Sequence, residues 1–529
     1  MEQHVEKRSL GQRYEVALII VSVAITLAVV AGLTLFPEQG TALADDLLYL
    51  LTRTFGSFMQ VFTVIVLVFL VALGVSKYGE IRLGTAKPKY RTTTWVAMMF
   101  FSGLGAGTVY WAFLEWGYHF NAAPKLAGAE ISEAYAYELS LAYTLFDWGP
   151  SAWALLCVFA LPFGYHYYIK KDQELRLSAL CKYTLGEKRT RGFWGKLINL
   201  IFILAAVGSI CISAGSSAST ISTAVASLFG IDTSFALTAV ILLGVALLYS
   251  VASLLGAEKG MSKISDWNTY FCIALLIFIA LAGPTRFILD SLVNSLGLLF
   301  TEFTRMSLWT DPVAQTGYPQ DWTVFYLVYW FVFGPFTGLF IAKISEGRKV
   351  KEIILNMILS GSAGLFLFFG IIGAYEQDLR IQGILDVPAM LENGQAPQIA
   401  EAVIRTLPFS KAAMALYVVV IILFLAAALN SCSFTLSSTV SRGLREGEEP
   451  SKLLKLFWCL VLIAIPLAVT YIGTNIDTIK SIVLATGLPL VIILFIIYYG
   501  FLRELKKDYG GKTRSQIISE GAVSPERPN

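Results

Sequence analysis

Residues 139–168 read LSLAYTLFDWGPSAWALLCVFALPFGYHYY, and Asp147 is the only Asp, Glu, Lys or Arg among them. A helix of about 20 apolar residues is long enough to cross the hydrocarbon core of a bilayer. This stretch exceeds that length and is rich in Leu, Ala, Phe and Trp. It therefore predicts a membrane-spanning helix that carries one charge inside the membrane.

The composition of the whole chain extends this prediction to the rest of the protein. Of its 529 residues, 56% are hydrophobic and 15% are charged, whereas soluble domains average about 45–50% and about 25%. These proportions exclude a disordered chain and argue against a soluble enzyme. A net charge of +3 gives no support for a nucleic-acid partner. The six cysteines have neither the spacing of metal ligands nor that of a disulfide framework.

Twelve apolar segments are long enough to span a membrane, so the sequence predicts an all-α polytopic membrane protein with twelve transmembrane helices. They lie near 15–36, 57–76, 95–119, 139–168, 198–228, 234–255, 265–283, 322–344, 352–374, 411–440, 454–474 and 480–501. The segment 284–305 differs, because it places Arg286, Asp290, Glu302 and Arg305 among apolar residues. We expect it to lie along the membrane surface as an amphipathic helix.

The charges between the segments predict their orientation. With the N-terminus inside, most of the 40 Lys and Arg residues fall in loops on the cytoplasmic side, as the positive-inside rule requires. We therefore expect a multi-pass protein of the inner (plasma) membrane with both termini in the cytoplasm.

Two of the segments contain residues that interrupt helices. The third contains Gly103, Gly105 and Gly107, each of which costs a helix about 1 kcal/mol relative to alanine. This favours an unwound backbone, although Gly103 and Gly107 alone would also suit close helix packing. In the eighth segment, Gly334 and Pro335 predict a break or kink, because proline removes a backbone donor. Two interrupted helices five segments apart are typical of transporters built from inverted repeats.

This spacing predicts two five-helix repeats preceded by two extra helices, with a substrate site between the repeats. The expected boundaries are 1–14 for a cytoplasmic N-terminus, 15–94 for the extra helices, 95–283 for the first repeat, 284–321 for the surface helix and an outer loop, 322–501 for the second repeat, and 502–529 for a cytoplasmic C-terminal tail.

Aromatic side chains lie deep in two of the segments rather than at their ends. Trp148 and Trp153 lie in the fourth segment, and Tyr329, Trp330 and Phe333 lie in the eighth. A quaternary ammonium group has no N–H to donate, and aromatic ring faces attract it by up to about 2 kcal/mol or more once it is desolvated. These residues therefore predict an aromatic box for such a cation. Ordinary core packing is the alternative explanation.

Two acidic residues, Glu115 and Asp147, fall inside predicted membrane segments. A charge there costs at least about 2.5 kcal/mol, so we expect both to be functional. Asp147 adjoins Trp148, but the two side chains point about 100° apart around an ideal helix. The three histidines are scattered along the sequence, at His4, His119 and His166. The sequence thus predicts no metal site, no cofactor and no enzyme activity.

Longer motifs around these residues carry a family resemblance. They read GLGAG at 103–107, AYTLFDWGP at 142–150, GAEKG at 256–260, YPQDWTVFY at 318–326 and IAKISEGR at 341–348. In these motifs and in Glu115, the chain resembles the betaine/carnitine/choline transporter family over nearly its whole length after about residue 15. NSCS at 430–433 and GEEP at 447–450 look most similar to the carnitine/γ-butyrobetaine exchanger branch.

The resemblance implies a leucine-transporter-like fold, usually trimeric, with an aromatic substrate site. By position, it assigns six aromatic residues to that site: Trp148, Trp153, Trp330, Tyr329, Phe333 and Tyr118. The chain departs from the family pattern at Leu156, where tyrosine is common, and at Asp147, where histidine is usual. These departures leave the identity of the substrate open.

The resemblance also bears on ion coupling. Sodium-coupled members place Thr and Ser hydroxyls at an ion site where this chain has Leu429 and Asn430. The sodium-independent branch places an arginine near the vacant site, and this chain has Ser262 there, followed by Lys263. Asn430, Ser262 and Lys263 are thus candidate substitutes for the ion, and an ordinary cytoplasmic anchoring role is the alternative for Lys263. The third segment and the Gly334-Pro335-Phe336 turn look more similar to the sodium-coupled members.

Together these features predict a secondary transporter of a quaternary ammonium solute. We expect it to work by alternating access, as a sodium-independent exchanger or uniporter. A sodium-coupled betaine symporter is the first alternative. A channel or a substrate-sensing membrane receptor is the alternative from a different class.

Overall fold

The computed structural model describes residues 13–521 except 85–86, 103–104, 173, 256–261, 443–447, 473–480 and 482. Within these residues the architecture is helical, and β-structure is limited to two isolated bridges, Tyr14–Ser441 and Arg82–Lys349. The all-α prediction is therefore confirmed for the described part of the chain.

We number the principal helices in chain order. They are α1 (Val16–Leu35), α2 (Gly56–Val75), α3 (Thr92–Ser102), α4 (Ala106–Trp111), α5 (Glu115–Asn121), α6 (Glu133–Asp147), α7 (Pro150–Gly164), α8 (Phe193–Phe229), α9 (Phe235–Leu255), α10 (Ser262–Ala282), α11 (Thr285–Leu308), α12 (Phe325–Ile344), α13 (Val350–Asn356), α14 (Ser362–Ile381), α15 (Ser410–Val440), α16 (Lys452–Ile472) and α17 (Gly487–Tyr509). Short helices between or after them include Pro37–Tyr49, Ala123–Ala127, Leu177–Leu180, Lys182–Leu185, Glu187–Arg191, Val387–Glu392, Ala396–Arg405 and Arg514–Glu520.

Nine helical segments of the described chain are long and apolar enough to cross a membrane. They contain α1, α2, α6 with α7, α8, α11, α12, α13 with α14, α15 and α17. The third predicted span is divided into α3, α4 and α5, and α9 and α10 contribute shorter apolar stretches. A polytopic membrane protein is thus confirmed. The twelve-helix layout, its two repeats and the surface position of α11 stay predictions.

Helix α7 lies at the centre of the protein. Every residue from Ser151 to Gly164 is buried, and α7 packs most extensively against α12. A Cβ added to Gly334 would lie 2.5 Å from Phe159 Cδ2, and one added to Gly338 would lie 2.7 Å from Phe159 Cβ. Only glycine therefore permits the two helix backbones to approach this closely.

This contact corrects one prediction from the sequence. Of the predicted break or kink at Gly334 and Pro335, the break is wrong, because helix α12 continues through both residues; the kink stays a prediction. The glycine that suggested a break instead makes room for Phe159. Close helix packing explains this glycine better than a helix break does.

An ionic cluster joins three distant parts of the chain outside the membrane segments. Glu80, in the loop after α2, lies 2.8 Å from Lys349 Nζ, 2.6 Å from Lys351 Nζ and 2.6 Å from Arg514 Nη2. Hydrogen bonds from Lys349, Lys351 and Arg514 lower the pKa of Glu80 from 4.5 to about 2. The cluster ties this loop to the start of α13 and to the helix Arg514–Glu520.

Candidate functional site

The third predicted span is interrupted, and the interruption positions α4 and α5 in the interior. The backbone of Gly105, between α3 and α4, is extended (φ −143°, ψ 174°). Gly107 lies in the first turn of α4 and donates its N–H to Ser213 Oγ at 3.0 Å. A further turn separates α4 from α5, which begins at Glu115. Gly103 lies outside the described residues.

A second interruption separates α6 from α7. Helix α6 ends at Asp147 and α7 begins at Pro150. Proline suits the first position of a helix, because an N–H at that position would have no partner within the helix and proline lacks one. A Cβ added to Gly149 would lie 2.6 Å from Leu145 O, so glycine permits the tight turn. The turn holds Trp148 inside the protein, where it is 2% exposed.

Trp148 is surrounded by aromatic rings from other helices. Its ring centroid lies 4.9 Å from that of Trp330, 5.9 Å from Tyr326 and 4.4 Å from Phe369. Trp330 Nε1 donates to the backbone carbonyl of Asp147 at 2.8 Å. The end of α6 is thereby joined to α12 by both a ring contact and a hydrogen bond.

The ring contacts continue along α12. The centroid of Tyr329 lies 5.6 Å from that of Trp330 and 4.8 Å from that of Phe333. Trp330 is buried, whereas Tyr329 and Phe333 are partly exposed. We name this set the ring cluster; its members are Trp148, Tyr326, Tyr329, Trp330, Phe333 and Phe369. It brings together four of the six aromatic residues predicted to bind substrate.

Of the other two predicted aromatic residues, Tyr118 is connected to the ring cluster and Trp153 is not. Tyr118 is connected to it through Trp322, with ring centroids 5.4 Å apart, and Trp322 lies 6.2 Å from Tyr326. Trp153 is 1% exposed and packs against Gly361, where an added Cβ would lie 2.3 Å from its ring. Among the described residues, Trp153 takes no part in the contacts of the ring cluster.

The residues predicted to replace a sodium site are only partly described. Asn430 lies in α15, and its carbonyl accepts a hydrogen bond from Ser433 Oγ at 3.1 Å. Leu429 is fully buried. Ser262 and Lys263 lie in the first turn of α10, but their side chains are outside the described part of the structure.

Three ionisable side chains meet beside the ring cluster, an arrangement that the sequence analysis missed. His119 Nε2 lies 3.3 Å from Asp147 Oδ2 and 3.5 Å from Glu115 Oε1. We name Glu115, His119 and Asp147 the acid–histidine cluster. The expectation that the histidines are scattered is therefore wrong for His119. The four-residue spacing of Glu115 and His119, which puts both on one helix face, was the signal in the sequence.

Neighbouring side chains form hydrogen bonds with the outer atoms of the acid–histidine cluster, Glu115 Oε2 and His119 Nδ1. Glu115 Oε2 accepts hydrogen bonds from Trp148 Nε1 at 2.7 Å and from the Tyr326 hydroxyl at 2.6 Å. His119 Nδ1 is hydrogen-bonded to the hydroxyl of Tyr318. Two members of the ring cluster, Trp148 and Tyr326, thus contact the acid–histidine cluster directly.

The inner atoms of the acid–histidine cluster face one another. Glu115 Oε1, His119 Nε2 and both carboxylate oxygens of Asp147 are buried without an aligned hydrogen bond. In the part of the chain that the structure describes, the ion-pair partner of each carboxylate is His119, and no lysine or arginine pairs with either. One atom from each side chain lies within 4.8 Å of the others, close enough for the three to share one cation.

Two further features lie outside both clusters. Glu376 of α14 is fully buried, and its Oε2 accepts a hydrogen bond from Trp116 Nε1. A cavity of about 590 Å³ is lined by residues of α6, α11 and α14, among them Glu133, Asp290 and Arg380. Neither feature contains a residue that the sequence analysis assigned to the site.

Comparison with known proteins gives the relatives of the chain. Residues 17–510 match the family described as "BCCT, betaine/carnitine/choline family transporter". The "Uncharacterized transporter YeaV" of Escherichia coli (strain K12) is 36% identical over 447 residues, which cover 84% of this chain and 92% of that protein. The "Carnitine transporter" of Acinetobacter baumannii is 33% identical over 503 residues, which cover 95% of this chain and 91% of that protein.

These matches agree with the helical architecture. Members of the matched family are transporters rather than enzymes. The membrane-length helices and the bacterial relatives indicate a multi-pass inner-membrane protein. The family match extends over nearly the whole chain, so the resemblance inferred from the motifs is confirmed, and the chain belongs to the betaine/carnitine/choline transporter family.

Proposed function

We propose that this protein is a secondary transporter of a quaternary ammonium solute of the betaine, carnitine or choline type. It moves the solute by alternating access without sodium, as an exchanger or a uniporter. Family membership and the relative named carnitine transporter support the substrate class. The observation that carries the proposal is the ring cluster, in which Trp148 and Trp330 meet at 4.9 Å.

The chemistry of the ring cluster suits a trimethylammonium headgroup. Such a group offers no N–H to a hydrogen-bond acceptor, and ring faces attract it electrostatically. Tyr329 and Phe333 present partly exposed rings, and the buried carboxylate of Glu115 lies 2.7 Å from the indole nitrogen of Trp148. Rings and a nearby negative charge together favour a bound cation over a neutral solute.

The geometry also suggests how the site would open. The rings of Trp148 and Trp330 are in edge-to-face contact, with centroids 4.9 Å apart and an interplanar angle of 81°. Because the rings touch, a headgroup fits between them only when they separate. Trp148 lies between α6 and α7, and Trp330 lies on α12. Movement of α12 relative to the junction of α6 and α7 would therefore open and close the site.

Several further features belong to the same proposal. The buried side chain of Leu429 supports sodium independence, because it offers no oxygen to an ion. We also propose twelve membrane-spanning helices in a 5+5 arrangement, a surface position for 284–305, both termini in the cytoplasm, and a homotrimer. The extended backbone at Gly105 supports an unwound segment in the first repeat.

The decisive experiment is ligand binding by the purified protein. Tryptophan fluorescence is titrated with glycine betaine, carnitine, γ-butyrobetaine and choline, in sodium and in potassium buffers. We expect saturable quenching by at least one ligand with the same Kd in both salts. Quenching only in sodium would refute sodium independence and favour the betaine symporter. No quenching by any of the four would refute the substrate class.

Flux measurements then separate a transporter from other membrane proteins. In proteoliposomes, we expect saturable uptake of the bound ligand, and faster uptake after preloading if exchange operates. A tenfold fall in uptake on removing sodium would contradict the proposed mechanism. Uptake that does not saturate would indicate a channel, and binding without uptake would indicate a receptor.

A further inference from the structure

We propose that the acid–histidine cluster is a proton-binding site, and that it releases its proton when a trimethylammonium headgroup binds beside Trp148. The headgroup step rests on the proposed function, whereas the proton site itself does not. The proton balance of this step is as follows: the protonated cluster binds the cation and releases one proton to water, which leaves a deprotonated cluster beside the bound cation. The solute itself gains and loses no bond.

The inner atoms of the acid–histidine cluster lack aligned hydrogen-bond partners. Glu115 and His119 are fully buried and Asp147 is 4% exposed, yet their facing atoms have no aligned hydrogen bond. Buried polar atoms without partners are costly, and more so at membrane depth. A neutral His119 offers one Nε2–H to two carboxylates, Glu115 Oε1 at 3.5 Å and Asp147 Oδ2 at 3.3 Å, so one added proton shared within the cluster relieves the shortage of donors.

His119 can change its protonation state without losing its hydrogen bond to Tyr318. His119 Nδ1 is hydrogen-bonded to the Tyr318 hydroxyl, and a hydroxyl can donate or accept. When Tyr318 donates, the imidazole is neutral and its Nε2–H points at the carboxylates. When Tyr318 accepts, the imidazole is protonated on both nitrogens. The contact between His119 and Tyr318 is kept in both states.

The charge of the acid–histidine cluster and of its surroundings favours the binding of a proton. With both carboxylates ionised and His119 neutral, the acid–histidine cluster carries two negative charges, and one added proton leaves one. The groups that face it from α6, from the segment before α12, and from α12 itself are uncharged aromatic side chains: Tyr143, Tyr318, Trp322 and Tyr326. Two residues of α11 with opposite charges, Arg305 and Glu302, act on Tyr143, and Arg305 donates to the carbonyl of Leu126 at 3.2 Å. The remaining buried acid nearby, Glu376, adds no positive charge.

These charges predict the sign of the coupling. A cationic headgroup at the ring cluster compensates the buried negative charge in the same way as a proton does. Trp148 connects the two positions, because its indole N–H contacts Glu115 Oε2 at 2.7 Å while its ring contacts Trp330. The bound cation therefore favours the deprotonated cluster. Across a membrane, solute and proton then move in opposite directions.

The coupling is tested by carnitine binding as a function of pH. We expect the Kd to fall as pH rises, by up to tenfold per pH unit where one proton is exchanged. In weakly buffered solution, an indicator dye should record about one proton released per ligand bound, the limit for one-proton exchange. A wild-type protein that binds carnitine with a pH-independent Kd and no proton release would refute the coupling.

Matched variants locate the proton. Asp147→Asn and His119→Asn should both flatten the pH dependence and reduce proton release. Glu376→Gln is the control, because Glu376 is an equally buried acid on α14 that contacts Trp116 instead of the acid–histidine cluster. It should keep both signals. If Glu376→Gln abolished them and Asp147→Asn did not, the assignment to this cluster would be wrong.

A measurement without ligand keeps the proton site distinct from the proposed function. Infrared difference spectra between low and high pH should show a band of the acid–histidine cluster, from a carboxyl or an imidazole group, that titrates in the wild type and in Glu376→Gln but is missing in Asp147→Asn. This band in a protein that binds none of the ligands would refute the proposed function alone. Identical spectra for wild type and Asp147→Asn would refute the proton site, as would a stoichiometric metal ion whose chelation removes the pH effect.

Discussion

Replacing Trp148 with phenylalanine separates two roles of this residue. Phenylalanine keeps an aromatic face against Trp330 and Phe369, which lie 4.9 Å and 4.4 Å from the indole centroid. It removes the N–H that donates to Glu115 Oε2 at 2.7 Å. The hydroxyl of Tyr326, at 2.6 Å, then remains as the donor to that oxygen.

The size of the effect follows from this lost hydrogen bond. A hydrogen bond to a charged group contributes about 1.5–3 kcal/mol, and the remaining bond from Tyr326 favours the lower end. About 1.4 kcal/mol corresponds to a factor of ten. The ionised form of Glu115 loses this stabilisation, so the acid–histidine cluster keeps its proton to higher pH. The curve of carnitine affinity against pH should therefore shift towards higher pH by about one unit.

Calorimetric titration of Trp148→Phe across a range of pH tests this reasoning. At high pH, where the cluster is deprotonated in both proteins, the affinities should differ only by the weaker attraction of a phenyl ring for the cation. Trp95→Phe is the control, because the Trp95 N–H bonds to Ser345 Oγ at 3.2 Å, away from both clusters. If Trp148→Phe weakened binding by the same factor at every pH, the effect would come from the ring or the fold, and the N–H would not act through Glu115.

Three further predictions concern ligand contact and stability. Trp330→Ala should raise the carnitine Kd measured by calorimetry about 5- to 30-fold, since a ring face contributes about 1–2 kcal/mol, whereas Trp194→Ala, at a side chain 55% exposed, should not. Gly338→Ala should destabilise the protein by about 1–3 kcal/mol and lower its melting temperature, because the new Cβ would meet α7 at 2.7 Å; Gly244→Ala, with open space around it, should not. Glu80→Gln should lower the melting temperature near neutral pH. Because the pKa of Glu80 is lowered from 4.5 to about 2, its contribution is complete above the ordinary pKa and is lost as pH falls towards 2, so an undiminished deficit at low pH would contradict the ion-pair explanation.

The helices and four of the six members of the ring cluster could be predicted because they depend on neighbouring residues. Hydropathy over about 20 residues identifies a membrane helix without knowledge of its partners. Trp148 and Trp330 were assigned to the aromatic site because they lie deep within two apolar segments, and their rings are in contact in the structure. The same reasoning selected Trp153, which packs on Gly361 instead, because position along a helix does not reveal which neighbour a side chain faces.

Features that depend on helix packing could not be predicted in this way. Glu115 and His119 are four residues apart, but Asp147 reaches them only because α6 ends beside α5. Likewise, Gly334 fits both a broken helix and a close helix contact. Its role depends on Phe159, a residue on another helix whose proximity the local sequence does not encode.

The enclosure of α7 has a consequence for biosynthesis. Helices inserted in chain order meet lipid before they meet later helices, and α7 is made long before α12, whose glycines complete its surroundings. Nascent α7 therefore needs lipid or a chaperone against the face that Gly334 and Gly338 later cover. A chain truncated before α12 lacks the helix that packs against this face of α7. We therefore expect quality control during membrane insertion to recognise the truncated chain as unfolded.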